Sequence, residues 1–401
     1  MPEFIEKTWK ASGHHQMVSS RDRGPFRYHA YVPDPIAVLD PPSTTDLVAA
    51  VEAASAACTT LDASPGIDDL EAVARVLLRA ESVASSRIEG LRLSHRRIEE
   101  ARFLPGGARG TALSIVRNID AMARAIQIGA EVEGAFTLDD LLSIHRTLMD
   151  TDEDIRIAGM VRTEQNWIGG GNTPRRADFI PPPPEYVPDL LEDLLAFCNR
   201  TDLSVVAQAA IAHAQFETIH PFADGNGRAG RCLIHLLLRR RGLSRRVVPP
   251  VSVVLAANAS AYVAGLTAFR AEGIAIWCRV FADALTTAAR EAIVLGDDLR
   301  RLRETWHERA GRPRKGSTTR RLIEGLAGHP IVSVESSAAA LGVSDEAARL
   351  ALPRLAEAGV LRQITIGKRN RAWTALEIFE LLDEFDAQVR FPSSGNSGSS
   401  R

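Results

Sequence analysis

One segment near the middle of the chain, His220 to Arg231, gathers side chains that could act on a phosphate and on a proton. Two glycines bracket Asn226 there, so the backbone can turn tightly and approach a ligand closely. A helix is predicted to begin directly afterwards, and the N–H groups and positive dipole of its first turn favour an anion. Arg228 and Arg231 lie in that turn, three residues apart, although the dipole disfavours cations at this end. This placement predicts a bound polyphosphate.

The same segment offers a metal ligand and a base. The Asp224 carboxylate is suited to the Mg²⁺ that accompanies polyphosphates. His220 can accept a proton near neutral pH, as a general base does. A histidine at a helix end, or a Gly-Asn-Gly turn, is ordinary by itself, and only the combination favours a functional site. The sequence has no second histidine or cysteine at zinc-ligand spacing and no GxxxxGK[ST] loop, which argues against a zinc site and a Walker A loop.

Helices are predicted to position this segment. Residues 204–219 and 229–242 are apolar on nearly all sides, which is typical of helices in the middle of a bundle. Amphipathic patterns begin after Thr44 and recur along the chain. A length of 401 residues predicts two or three domains, and 45% hydrophobic with 24% charged residues is ordinary for a globular protein. The predicted fold class is therefore mainly α.

Charge, cysteines and the N-terminus limit the classes of function. The formal net charge of −2 gives no global field that would recruit nucleic acid or a membrane. The four cysteines are widely spaced and form no CxxC pair, which argues against a disulfide framework. The sequence shows no apolar leader and no long uncharged run, so we expect a cytoplasmic protein without a membrane partner.

Several segments interrupt the helical pattern. Residues 1–40 contain several prolines and predict an irregular arm. Trp167 to Tyr186 contains consecutive glycines and a proline run, which predicts a β-hairpin. Arginines crowd residues 300–321 and predict a domain boundary. Beyond that boundary the sequence predicts two short helices, with Ser344 as the N-cap of the second, followed by a hairpin over 363–373.

The segment His220 to Arg231 resembles the signature of the Fic family, HxFx(D/E)GNGRxxR, at every defined position. Gly159, Arg162 and Asn166 resemble that family too, and the similarity extends over most of residues 40–290. The resemblance implies a Fic-type helical bundle with a β-hairpin flap. It also implies transfer of AMP from ATP to a Ser, Thr or Tyr hydroxyl of a target protein, with Mg²⁺ as cofactor. The target, self-modification and a homodimer stay open.

The resemblance implies a role for each residue of the segment. His220 would deprotonate the target hydroxyl, Asp224 would hold Mg²⁺, and Phe222 would anchor the loop in the core. The ATP phosphates would be bound by the turn and the following helix, through Gly225, Asn226, Gly227, Arg228 and Arg231. The flap would align a target segment by strand addition, through Trp167, Ile168, Gly169, Phe179 and Ile180.

Ser85 to Gly90 resembles the inhibitory motif (S/T)xxxE(G/N) of the same family. Glu89 is predicted at the C-terminal end of a helix, one turn after Ser85, and spacing alone favours a solvated surface glutamate. The resemblance implies instead that Glu89 pairs with Arg231 and blocks productive binding of the γ-phosphate.

Residues 317–385 resemble a winged helix-turn-helix domain, with Lys368, Arg369 and Arg371 in the wing. The predicted recognition helix mixes acidic and basic residues, so DNA and protein both stay open as its partner. The other predicted domains are an N-terminal helical region with the inhibitory motif (1–110), a catalytic domain (111–295), a basic linker (296–316) and a disordered tail (386–401).

Two other functions stay open at this point. The first is a DNA-binding transcriptional regulator that uses its Fic domain as a nucleotide sensor. The second is a de-AMPylating enzyme, which would run the same chemistry in reverse. The intact His220 favours an enzyme over a sensor, because a sensor needs the phosphate cradle but not the base.

Overall fold

Helices dominate the computed structural model, which describes residues 2–10, 24–64, 70–103, 107–131, 133–271, 273–366 and 370–389. In chain order the helices are α1 (Thr45–Ala63), α2 (Leu70–Ile88), α3 (His95–Arg102), α4 (Gly110–Ala130), α5 (Leu138–Leu148), α6 (Val187–Cys198), α7 (Val205–Ile219), α8 (Asn226–Arg240), α9 (Val251–Ala257), α10 (Ala259–Arg270), α11 (Ile274–Arg309), α12 (Thr318–Gly325), α13 (Val334–Leu341), α14 (Asp345–Glu357) and α15 (Leu376–Gln388). The predicted mainly helical fold is confirmed.

Strands occur at the two ends of the chain. An antiparallel hairpin near the N-terminus pairs β1 (Glu3–Trp9) with β2 (Phe26–Val32). A three-stranded sheet follows α12 and has the order β3-β5-β4, with β3 at Ile331–Val332, β4 at Arg362–Ile366 and β5 at Asn370–Thr374.

The chain divides into two compact units, each assembled from separate segments. The first unit comprises Met1–Val51, Arg124–Arg241 and Val263–Arg279. The second unit comprises Glu52–Ala123, Gly242–Tyr262 and Val280–Arg401.

The core of the first unit contains α7 and α8, as their apolar sequences predict. Every residue of α7 from Val206 to Ile219 is buried, including the polar Gln208 and Gln215. Their amides are satisfied by backbone carbonyls, since the Gln208 side chain donates to Phe197 O at 2.9 Å and that of Gln215 to Asp34 O at 2.9 Å. Buried polar groups must find such partners, so these bonds fix α7 against its neighbours.

The N-terminal residues correct one expectation from the sequence. We predicted an irregular arm over residues 1–40, whereas β1 and β2 form a regular ladder from Glu3 opposite Val32 to Trp9 opposite Phe26. The prolines that suggested irregularity stand outside the strands: Pro25 precedes β2, and Pro33 follows it. Proline removes only its own ladder donor, so prolines at strand ends leave the pairing intact.

A second correction concerns the basic linker that was predicted over residues 296–316. Helix α11 continues without a break to Arg309, so residues 296–309 are helical rather than a linker. Arginine, leucine and glutamate favour helix, and two arginines of this stretch pair with acids one turn earlier, Arg300 with Asp297 at 3.0 Å and Arg301 with Asp298. The breaking residues come later: Gly311 and Gly316 both have positive φ.

The predicted elements after residue 333 are found in the second unit. Ser344 caps α14, because its hydroxyl accepts from the Ala347 N–H at 3.2 Å. The predicted hairpin corresponds to β4 and β5. The wing residues Lys368 and Arg369 lie outside the described residues. Helix α15 runs to Gln388, past the predicted domain end at residue 385.

Two further properties belong to the described part of the chain. No single helix there combines the length and apolar character needed to span a membrane, although the bent pair α9 and α10 passes the same test when taken together. The four cysteines, Cys58, Cys198, Cys232 and Cys278, are free thiols and all are buried. Burial raises the pKa of Cys58 and of Cys278 to about 12.

Candidate active site

The predicted phosphate segment forms the connection between α7 and α8 in the first unit. His220 caps the C-terminus of α7 in the left-handed region, with φ of 50°, which is uncommon for a residue other than glycine. Gly225 precedes α8 with φ of 77°, and a Cβ there would lie 2.9 Å from Met149 Sδ. The loop therefore needs glycine at 225, both for conformation and for space.

The side chain of Asn226 holds the loop closed. Its Oδ1 accepts from the Phe222 N–H at 2.8 Å, and its Nδ2 donates to the Phe222 carbonyl at 2.8 Å. The Phe222 ring is fully buried and stacks on His145, with centroids 3.7 Å apart and an interplanar angle of 7°. These contacts connect the loop to α5.

His145 was not predicted from the sequence, and the structure places it in direct contact with the loop. Its Nδ1 accepts from the Gly159 N–H at 3.0 Å, so the ring proton lies on Nε2, which donates to the Asp224 carbonyl at 3.0 Å. Burial lowers the pKa of His145 to about 4, which keeps the ring neutral near pH 7. The sequence carried no signal for this role beyond a histidine on a predicted helix.

Asp224 is exposed at the tip of the loop, and its Oδ1 accepts from the Gly225 N–H at 2.6 Å. Among the residues that the structure describes, no group of three or more His, Cys, Asp or Glu side chains could hold a metal. A cation at Asp224 would therefore need most of its ligands from water and phosphate oxygens. Mg²⁺ commonly binds through one or two carboxylates together with substrate phosphates, so Asp224 fits Mg²⁺.

The N-terminus of α8 presents the anion-binding groups. The bond from the Ala229 N–H to the Gly225 carbonyl starts the helix, so the N–H groups of the three residues before Ala229 point out of its end. Arg228 and Arg231 are both buried, with Arg231 only 1% exposed. Burial, with a further contribution from the Arg231 charge, lowers the pKa of His213 on α7 to about 3. Two buried arginines and a helix N-terminus therefore lie together at this end of α8, an arrangement that favours a bound anion.

A buried carboxylate, Glu217, lies beside His220 on the last turn of α7. Its Oε2 is 4.0 Å from His220 Nδ1. Gly230 of α8 packs against the same carboxylate, since a Cβ there would lie 2.6 Å from Glu217 Oε1 and 2.9 Å from Phe216 Cδ1. Glycine at 230 therefore allows α8 to approach the end of α7 closely.

Arg162 and Asn166 bind the backbone of the loop through hydrogen bonds. Arg162 Nε donates to the His220 carbonyl at 2.8 Å, and its backbone N–H donates to the Pro221 carbonyl at 2.9 Å. Asn166 Nδ2 donates to the Phe222 carbonyl at 3.0 Å. The family resemblance singled out both residues in the sequence, but it did not predict these contacts.

The predicted flap is shorter than a regular hairpin. A single antiparallel bridge joins Ile168 to Phe179, with the Ile168 N–H donating to the Phe179 carbonyl at 2.8 Å. A 3₁₀ turn at Pro174–Arg176 and the prolines from Pro181 limit the ladder, because proline supplies no N–H. The Trp167 indole donates to the Gly171 carbonyl at 2.8 Å within the same turn.

The N-terminal hairpin supports the returning leg of the flap. The Tyr31 N–H on β2 donates to the Ile180 carbonyl at 3.0 Å. The Phe179 ring lies between the Tyr31 ring, 5.8 Å away by centroids, and the Arg270 guanidinium, 3.8 Å from its centroid. Phe179, the bridge residue of the returning leg, is therefore held from two sides.

The predicted inhibitory motif lies in the second unit, at the end of α2. The Gly90 N–H donates to the Arg87 carbonyl and the Leu91 N–H to the Ser86 carbonyl, both at 3.0 Å, with φ of 83° at Gly90. This is a Schellman motif, and it makes Glu89 the C-cap residue. Glu89 is exposed, whereas Ser85 is buried.

Comparison with known proteins identifies a family domain in this chain and supports its fold. Residues 135–238 match the family model described as Fic/DOC family, so the chain contains a Fic/DOC family domain. The match includes the whole loop from His220 to Arg231 and the segment that carries Arg162 and the flap.

The curated relatives include named adenylyltransferases. Protein adenylyltransferase fic-1 of Caenorhabditis elegans is 35% identical over 133 residues, which are 32% of this chain and 24% of the relative. A probable protein adenylyltransferase of Aquifex aeolicus is 34% identical over 119 residues, covering 27% of this chain and 37% of the relative. The match thus spans only 24% and 37% of the length of these two curated relatives.

Solved structures share the fold. A Fic family protein from Desulfovibrio desulfuricans G20 aligns with a TM-score of 0.51 at 24% identity, covering 84% of this chain and 98% of that one. Fic-1 from C. elegans (aa134–508) aligns with a TM-score of 0.52 at 22% identity, covering 63% and 73%. At these identities the likeness concerns the fold alone.

Proposed function

We propose that this protein transfers AMP from ATP to a hydroxyl group of a target protein. The observation that carries the proposal is the α7–α8 loop, in which His220 stands a few residues from a helix N-terminus flanked by the buried cations Arg228 and Arg231. The names of the curated relatives, which are protein adenylyltransferases, support the same activity.

The residues of this chain would divide the reaction among them. His220 takes the proton from the target hydroxyl, whose oxygen bonds to the α-phosphorus of ATP, and the bond from that phosphorus to its leaving oxygen breaks to release pyrophosphate. The N–H groups at the start of α8, with Arg228 and Arg231, bind the phosphates and stabilise the charge that develops. Mg²⁺ held at Asp224 would neutralise phosphate charge when bound.

The flap would present the target to His220. Trp167, Ile168 and Gly169 form its outgoing leg, and an extended target segment could add to that leg through backbone hydrogen bonds. Such recognition depends on backbone groups, so several target sequences could be accepted.

Glu89 would restrain the transfer by pairing with Arg231 and competing with the γ-phosphate. The resemblance of Ser85 to Gly90 to the inhibitory motif (S/T)xxxE(G/N) supports this role. A de-AMPylating reaction would use the same residues. Label transfer and label loss distinguish addition of AMP from its removal.

The experiment that tests the proposal is label transfer with ATP labelled at the α- or the γ-phosphate. Wild type, Glu89→Gly and His220→Ala are compared with Mg²⁺ present, on the protein itself and on a lysate. We expect transfer of the α-label, strongest in Glu89→Gly and absent in His220→Ala. Transfer of the γ-label would indicate a kinase. ATP binding without transfer of either label would favour the nucleotide-sensing regulator, and loss of AMP from a pre-labelled protein would indicate the reverse reaction.

We further propose that residues 317–385 form a winged helix-turn-helix module, which the order α12, β3, α13, α14, β4, β5 supports. The exposed face of α14 carries Glu346 paired with Arg349 at 3.6 Å and an exposed Leu350, a mixture that suits a protein partner better than DNA. We expect no salt-dependent retention of the full chain on duplex DNA at low salt, and retention that weakens with added salt would restore DNA as the partner.

A further inference from the structure

A buried cation spans the space between the α7–α8 loop and the flap. Arg162 is 5% exposed, and its guanidinium donates to four backbone carbonyls. Nε bonds to His220 O at 2.8 Å, whereas Nη2 bonds to Pro182 O at 2.6 Å and to Ile219 O at 3.4 Å. Pro182 belongs to the returning leg of the flap, so one planar side chain binds both parts of the site.

The conformation of the α7–α8 loop explains why a cation is required next to Ile219 and His220. His220 adopts a left-handed conformation that costs energy for a residue other than glycine. The carbonyls of Ile219 and His220 end α7, where helical partners run out and the dipole favours a cation. Burial lowers the pKa of Arg162 to about 10, so the guanidinium stays charged near neutral pH.

We infer that Arg162 is a positioning residue that fixes the distance between the proton-accepting side chain of His220 and the target segment aligned by the flap. This inference rests on the proposed transferase function. Arg162 itself touches neither reactant. Arg162 acts by fixing the position of His220 relative to the attacking hydroxyl. Misplacement of reacting groups by about 1 Å can lower the rate about 100-fold.

The test compares Arg162→Ala and Arg162→Lys in a chain that also carries Glu89→Gly. We expect Arg162→Ala to lower α-label transfer by about 100-fold while the Kd for ATP changes by less than about threefold. Millimolar guanidinium should restore transfer by at least about tenfold and methylammonium should not, because the planar fork of donors is required. Arg162→Lys should remain as slow as Arg162→Ala for the same reason.

Two further readouts separate this inference from its alternatives. Amide exchange of peptides spanning 219–224 should quicken in Arg162→Ala and slow again with guanidinium, a result that needs no transferase activity. Arg156→Ala, an exposed arginine in the same segment, is the control and should match the parent. Full activity in Arg162→Lys, or no rescue by guanidinium, would overturn the inference. Absence of transfer in the parent chain would instead count against the proposed function.

A separate observation concerns the end of α2 in the second unit. Arg87, two residues before Glu89, forms an ion pair with Asp386 Oδ2 on α15, and His95 Nε2 lies 3.2 Å from the same oxygen. The Asp386 side chain is 10% exposed and that of His95 1%. Burial opposes ionisation of Asp386, yet His95 and Arg87 outweigh it and keep the pKa of this carboxyl below its ordinary value.

These contacts join the C-terminal helix to the motif that carries Glu89. The Arg87 carbonyl accepts from the Gly90 N–H, so the residue that Asp386 binds is part of the Schellman motif. We propose that the cluster of Asp386, Arg87 and His95 holds Glu89 in its restraining position, so that loss of the Asp386 carboxylate activates transfer. This proposal rests on the proposed inhibitory role of Glu89.

The test uses the full chain with Asp386→Asn, Glu89→Gly and the matched control Asp383→Asn, which removes an exposed carboxylate from the same helix. Asp386→Asn should raise α-label transfer towards the level of Glu89→Gly and should quicken exchange of the Gly90 and Leu91 amides. Asp383→Asn should leave both unchanged. Activation by Glu89→Gly but not by Asp386→Asn would overturn the proposal, whereas no activation by Glu89→Gly would refute the inhibitory role itself.

Discussion

His145 lies outside the signature segment His220 to Arg231, yet its side chain helps to hold the loop that this segment forms. Its two ring nitrogens are both committed, one to the Gly159 N–H and the other to the Asp224 carbonyl. A second proton would place N–H donors on both nitrogens and break the bond from Gly159. The bond from Gly159 therefore depends on a neutral ring, whereas Nε2 can donate to the Asp224 carbonyl in either protonation state.

The depressed pKa of His145 predicts a loss of stability in mild acid. Its folded value of about 4 lies below the ordinary 6.5, so the neutral ring stabilises the fold above pH 6.5 and this contribution disappears as the pH falls towards 4. The shift corresponds to about 3 kcal/mol. His145→Gln should make the free energy of unfolding, measured by urea titration, depend less on pH in this window. His29→Gln, at an exposed strand position, should leave the pH dependence unchanged, and equal slopes for all three proteins would contradict this account.

At the scale of elements, the close approach of α7 and α8 depends on Gly230. Gly230→Ala should lower the free energy of unfolding by about 1–3 kcal/mol, because the added methyl overlaps Glu217 and Phe216. Gly296→Ala is the matched control in α11, where a Cβ would meet nothing within 4 Å. That variant should gain about 0.5–1 kcal/mol from helix propensity. A Gly230→Ala protein as stable as wild type in thermal melts would show that the helices can separate without cost.

Local signals in the sequence predicted the elements that depend on local chemistry. Gly90 and Ser344 mark helix ends because positive φ and side-chain capping are properties of single residues. The β1–β2 hairpin depends on pairing across residues 10–25, and short-range patterns do not encode such pairing. The extension of α11 was missed because a run of arginines resembles a linker by composition while favouring helix by propensity.

The sequence likewise predicted only one part of the candidate site, the part that lies within a single loop. Residues 220–231 could be assigned because their chemistry and their spacing lie within one loop. The contacts of His145, Glu217 and Arg162 with that loop arise from the packing of separate elements. A single sequence offers no measure of such distances, so these contacts required the structure.

At the scale of the whole molecule, binding of ATP should stabilise the first unit. A ligand at about 100 times its Kd contributes about 2.7 kcal/mol to the folded state. We expect Mg²⁺ with ATP to raise the melting temperature more than ATP with EDTA does. Asp224→Asn should remove that difference, because the exposed carboxylate is the proposed protein ligand. Asp152→Asn, also exposed, is the control, and an undiminished effect of Mg²⁺ in Asp224→Asn would place the metal elsewhere.

The burial of all four cysteines has a practical consequence for following the molecule in solution. A thiol reacts with an alkylating reagent as its thiolate, and the raised pKa of Cys58 and Cys278 suppresses that form in the folded chain. Alkylation must therefore wait for local opening. Cys58 belongs to the second unit, whereas the other three cysteines belong to the first, so the mass of the labelled peptide identifies which unit opened. The rate of alkylation at each cysteine therefore reports how often its own unit opens.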